Sequence, residues 1–137
     1  MQVCAPDNDY GFIYSNGVYT TLDDPLAASN QQGTFAYGID GGNIVGTYMD
    51  ANHVYHGFLY NDSTFTTLDD PLAGTGLDQG TKIFGISDDG TIVGDYVDSS
   101  GDTHGFIATP VPEPTSGIFL LVGAIALLRR RRRTSMQ

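Results

Sequence analysis

The stretch GIDGGNIVGTYMD, Gly38 to Asp50, returns as GISDDGTIVGDYVD, Gly85 to Asp98, with one residue added in its turn. GFIYSNGVYTTLDDPLA, Gly11 to Ala27, returns as GFLYNDSTFTTLDDPLA, Gly57 to Ala73, after 46 residues. HGF at His56 to Phe58 comes back at His104 to Phe106, after 48 residues, and two single-residue insertions account for the drift. A fixed period of this length marks a repeat architecture, in which each unit is one supersecondary element that buries its apolar surface against its neighbours.

The complete copy contains four runs rich in Thr, Val, Ile, Tyr and Phe: TFAYGID, NIVGTYMD, VYHGFLYN and TFTTLDD. Such runs, bounded by turn formers, are strands. Ser15-Asn16-Gly17 carries the Asn-Gly pair that favours a tight hairpin with positive φ. Asp40-Gly41-Gly42 and Asp88-Asp89-Gly90 occupy the turn between the first and second strands of their units. In TIVGDYVD one face carries Ile92, Gly94 and Tyr96 and the other Val93, Asp95 and Val97, so apolar groups point both ways, as in a small sheet packed between neighbours. Gly46 and Gly94 in mid-strand leave room for a backbone or a ring to approach. Nothing before Val111 shows helical spacing of apolar residues, so the expected body is all-β and antiparallel.

Residues 1–109 therefore divide into a partial unit at 10–27, a full unit at about 34–73 and a partial unit at about 82–109. Four strands per unit at this period is the arithmetic of a propeller blade, although a flat meander and a β-solenoid fit the same pattern. The chain supplies two, then four, then three strands, whereas a propeller closes with roughly four to eight blades. The expectation is an incomplete β-propeller-like array, from a shortened copy or one that buries its open edges by association.

Charge separates the body from the tail. Before Val111 fifteen aspartates face the single Lys82, giving −14, and from Val111 onward five arginines face Glu113, giving +4. An acidic body of this kind repels nucleic acid and anionic lipid. Cys4 is the one cysteine, so it forms no internal disulfide and no metal pair.

The chemistry-bearing residues read mostly as structure. His56 and His104 hold equivalent repeat positions, and Tyr10 stands there in the first copy. Asp23-Asp24 and Asp69-Asp70 each precede a proline, which suits a turn capped by an Asp side chain. Asp88, Asp89, Asp98 and Asp102 are weak calcium candidates, hard oxygen ligands on loops. They lack the twelve-residue loop and terminal glutamate of an EF-hand. The three histidines lack zinc-site spacing. No cofactor is expected.

The units resemble the HAF family of extracellular repeats, with its G-I-N-x-x-G-x-I-V-G-x-Y, G-F-x-Y and T-x-L-D-x-P elements. GIDGGNIVGTY, HGFLY and TTLDDPLA carry the likeness, followed by GISDDGTIVGDY and HGFIA, over roughly residues 10–109. Asp40 and Ser87 stand where that family usually has asparagine. The resemblance implies an extracellular β-repeat with no assigned activity.

The chain ends VPEPTSGIFLLVGAIALLRRRRRTSMQ, Val111 to Gln137. Pro-Glu-Pro, an apolar helix and an arginine cluster in that order resemble the PEP-CTERM sorting signal. The resemblance implies an exosortase, an integral-membrane cysteine protease, acting near Val111, Pro112, Glu113 and Pro114. It also implies delivery to the surface or polysaccharide matrix of a Gram-negative bacterium. The residues are consistent with this on their own terms. The apolar run 117–128 is twelve residues, about 18 Å of helix, against the roughly 30 Å of a hydrocarbon core. Such a span is a poor permanent anchor. Arg129, Arg130, Arg131, Arg132 and Arg133 would stay cytoplasmic under the positive-inside rule and leave the acidic repeats outside. Pro112 and Pro114 keep the junction extended for a protease.

Met1 to Phe12 shows no secretory signal, so an upstream start or a truncated gene is expected. The expected function is an exported, non-enzymatic repeat protein, structural or ligand-binding. Its partners would be an exosortase-type protease, the inner membrane in passing and extracellular polysaccharide, through Tyr, Asn and Asp side chains on loops. The rival readings are a matrix-glycan hydrolase using Asp95 or Asp98, and a gene fragment with no activity of its own.

Overall fold

The computed structural model describes residues 9–29 and 33–111. They form nine strands and no helix: β1 (Gly11–Ser15), β2 (Val18–Leu22), β3 (Thr34–Asp40), β4 (Asn43–Met49), β5 (Tyr55–Asn61), β6 (Thr64–Thr67), β7 (Gly80–Ile86), β8 (Ile92–Val97) and β9 (Thr103–Ala108). β1 and β2 pair as a hairpin, β3 to β6 as a four-stranded antiparallel meander, and β7 to β9 as a three-stranded one. The larger sheet has the order β3-β4-β5-β7-β8-β9 with β6 branching from β5, and it does not close into a barrel. The apolar run 117–128 lies outside the described residues, and no described helix is long and apolar enough to cross a membrane.

Turn chemistry accounts for the hairpins. Asn16 and Gly17 have φ of 51° and 82°, and Gly41 and Gly42 have 53° and 89°. Positive φ at both central residues matches the twist of the flanking strands. Pairing is not antiparallel throughout, contrary to the expectation from the strand pattern. β5 and β7 share one parallel bridge, Tyr55 with Gly80, which joins the two meanders into one seven-stranded sheet. Gly80 is needed there, since its φ is 118° and a Cβ would lie 2.0 Å from the Tyr55 carbonyl oxygen. The strand expected from TFTTLDD also ends early, at Thr67: Leu68 still donates to the Gly57 carbonyl, but the Gly57 N–H goes to the Asp69 carboxylate and Asp70 then starts a turn.

The two cores sit between successive groups of strands. Leu22, Ile44, Tyr48 and Phe58 form one, with Ile13 and Ala27 packed against it. Val45, Leu59, Leu68, Ile83, Ile92, Tyr96 and Phe106 form the other. β4 is buried on both faces, as a sheet between neighbours should be. β8 has the same pattern of residue types, yet Val93 is exposed, so a two-sided apolar strand is covered on one side only. Val111 also packs against the second core, so the folded body runs up to the residue before Pro112.

β3 and β7 are bulged at the same repeat position, between Ala36 and Gly38 and between Ile83 and Gly85. The skipped residues are Tyr37 and Phe84, both exposed. A bulge re-aims the extra side chain, and here it does so twice with an aromatic ring.

Candidate functional site

The acidic and histidine residues meet first at the joints between groups of strands. Asp24 and Asp70 are buried, each accepting a backbone N–H two residues on, from Leu26 and Leu72 at 2.9 Å. Their own N–H groups donate to the hydroxyls of Thr34 and Thr81, at 2.8 and 2.9 Å. Those threonines are the first residue of β3 and the second of β7, and both are buried. The LDDP motif is thus a clasp that fastens one unit to the first strand of the next. Burial pushes the Asp24 carboxyl above the usual carboxylate range, and its Oδ2 has no hydrogen-bond partner.

His56 lies between two carboxylates, with Nδ1 2.7 Å from Asp69 Oδ2 and Nε2 3.2 Å from Asp50 Oδ2. Its ring stacks on Tyr48 at 5.0 Å. The Asp69 hydrogen bond, ahead of the opposing effect of burial, raises the imidazole's pKa above its ordinary value. His104 repeats the arrangement, stacked on Tyr96 at 5.0 Å with Nε2 2.9 Å from Asp98 Oδ2. The His56–Asp50 and His104–Asp98 pairs each close the turn between the second and third strands of their unit, and Asp69 ties His56 to the segment after β6. An imidazole braced in this way orders a loop.

The calcium candidates fall at opposite ends of β8. Asp89 accepts the Ser87 hydroxyl and the Thr91 N–H before the strand. Asp98 accepts the Ser100 and Asp102 N–H groups through Oδ1 after it, while Oδ2 holds His104. Six residues of strand separate these turns, roughly 20 Å, so Asp88 and Asp89 do not share a site with Asp98 and Asp102. No group of three or more His, Cys, Asp or Glu among the described residues converges to hold a metal. The hydrogen bond from Ser87, then that from Thr91, lowers the Asp89 carboxyl; that from His104, then from Asp102, lowers Asp98. Of the hydrolase candidates, Asp95 lies on β8 and Asp98 in the turn after it, where its carboxylate oxygens are held by Ser100, Asp102 and His104.

One concave surface of the body is mainly apolar. A groove of about 380 Å³ runs between β1 and β3, lined by Phe12, Tyr14, Ala36, Tyr37, Ile39 and Ile44. Phe84 extends the aromatic surface, its ring 5.7 Å from that of Tyr37 and tilted by 55°. The exposed aromatics therefore lie on strands and bulges, where the sequence pattern had placed the working surface on loops. A signal was available in the recurrence of an aromatic at positions 37 and 84, between apolar residues that alternate normally.

Of the residues expected to carry a sorting signal only Val111 is described; Pro112, Glu113, Pro114 and Arg129 to Arg133 lie outside the described residues. Comparison of the chain with protein-family models, with curated proteins and with solved structures finds no match in any of the three.

Proposed function

We propose that this chain is an exported, non-enzymatic extracellular repeat protein that binds matrix polysaccharide through the groove beside Tyr37. The observation that carries the reading is the division of labour between residue types. The recurring Asp and His side chains are spent on clasps and turns, whereas the aromatic rings of Phe12, Tyr14, Tyr37 and Phe84 stay open on one surface. Aromatic faces lining an open groove suit the apolar faces of sugar rings, with nearby backbone groups available to hydroxyls. The units would be blades of an incomplete propeller-like array. In residues 110–137, the order of Pro-Glu-Pro, apolar helix 117–128 and arginine cluster supports sorting by an exosortase-type protease after transient retention in the inner membrane.

Two measurements test this. The intact mass of the product recovered from a host that carries an exosortase should lack Arg129 to Arg133, and a full-length mass would refute the sorting reading. Binding of extracellular polysaccharide should be saturable and should weaken at least tenfold in Tyr37→Ala combined with Phe84→Ala. Equal binding by that variant would refute the groove.

A further inference from the structure

The repeat gives each of its surfaces an observed partner, which exposes the surfaces that lack one among the described residues. In the full unit, Phe58 and Tyr60 flank Phe65, with ring centroids 5.4 and 4.7 Å from it. This cluster is packed against the preceding hairpin through Leu22, Ile13 and Ala27. The same cluster occurs in the hairpin itself, where Phe12 and Tyr14 flank Tyr19 at 5.5 and 4.6 Å. There it is bare: Phe12 is 64% exposed, whereas its equivalent Phe58 is 0%.

The other end of the body shows the reciprocal face. Val45, Thr47 and Leu59 of the full unit receive the next unit, and the Ile83 N–H donates to Thr47 Oγ1 at 3.0 Å. Their equivalents are Val93, Asp95 and Ile107. Val93 is 45% exposed where Val45 is 0%, and Ile107 is exposed where Leu59 is buried. Asp95 Oδ1 is shielded from solvent yet has no hydrogen-bond partner, at the position where Thr47 accepts one.

We propose that the chain associates head to tail with a second copy of itself, the Phe12–Tyr14–Tyr19 cluster of one seated on Val93, Asp95 and Ile107 of the other. The contact continues the one already made between units inside the chain. Tyr19 stands where the internal cluster has Phe65, and its hydroxyl is a donor of the kind that Asp95 lacks. Two different faces meet, so the association is heterologous and runs on into rings or filaments instead of stopping at a dimer. It does not rest on the sorting reading, and it competes with polysaccharide for Phe12 and Tyr14, which also line the groove.

Sedimentation equilibrium of the full chain tests it, with Phe12→Asp blocking the head and Val93→Asp blocking the tail. Both residues are exposed, and matching circular dichroism and melting curves would confirm that the variants fold. The wild type should pass beyond dimer with rising concentration, each variant alone should stay monomeric, and their equimolar mixture should stop at a dimer. A monomeric wild type, or a mixture that stays monomeric, would overturn the proposal. So would variants that associate as the wild type does, an outcome that assigns the association to another surface such as residues 117–128. Polysaccharide binding measured on Val93→Asp separates a failure here from a failure of the groove.

Discussion

The ring of Phe58 lies so close over Gly46, its partner across β4 and β5, that a Cβ on Gly46 would be 2.8 Å from two ring carbons. Phe106 covers Gly94 in the same way, at 2.9 and 3.0 Å. The glycine of IVG and the phenylalanine of HGF, about a dozen residues apart in sequence, are two halves of one packing unit.

A methyl group at either glycine would also meet a carbonyl oxygen, 1.9 Å from Phe35 at Gly46 and 2.1 Å from Lys82 at Gly94. Gly46→Ala and Gly94→Ala should therefore each lower stability by about 1–3 kcal/mol or more, since neither strand nor ring can yield without unpacking a core. Gly85→Ala, whose nearest contact would be 3.5 Å, should change it by no more than about 0.5 kcal/mol. Urea melts of the three variants check the ranking.

Thr47→Val keeps the shape of a fully buried side chain and removes the acceptor for the Ile83 N–H. The orphaned donor should cost about 1–3 kcal/mol. Hydrogen exchange at the Ile83 amide should rise together with the loss of denaturant resistance, and unchanged exchange would show that the bond contributes nothing.

The raised pKa of His56 sets a pH dependence. The folded state holds that proton more tightly than the unfolded state, so the contribution is complete below the unfolded value near 6.5 and is lost as pH rises through the higher folded value. Thermal melting should fall over that interval in the wild type. His56→Gln should flatten the interval, and an unchanged slope would assign the effect elsewhere.

Asp24 acts with the same sign by a different cause. Burial raises its carboxyl pKa, so ionisation above the usual carboxylate range works against folding. Asp24→Asn keeps an acceptor for the Leu26 N–H and removes the charge, and should stabilise the protein at neutral pH. Asp24→Ala loses the acceptor as well and should be less stable than Asp24→Asn by about 0.5–1.5 kcal/mol. Melting temperatures at pH 7 order the two.

Repetition, strand content and hairpin turns were legible in the chain because they depend on short-range chemistry. Asn16-Gly17 needs no distant partner to adopt positive φ, and a period of 46 to 48 residues is visible without coordinates. The structural use of Asp24 and Asp70 was readable for the same reason, since the N–H groups they hold are two residues away. The parallel bridge at Gly80 was decided by packing between units, and the second carboxylate on His56 and the bulges that turn Tyr37 and Phe84 outward by strand pairing within a unit. Val45 and Val93 make the same point most simply. They occupy one position of one motif, and neighbours far along the chain bury the first while the second stays exposed. Local sequence sets which surfaces a unit offers, and only the tertiary arrangement sets which of them are covered.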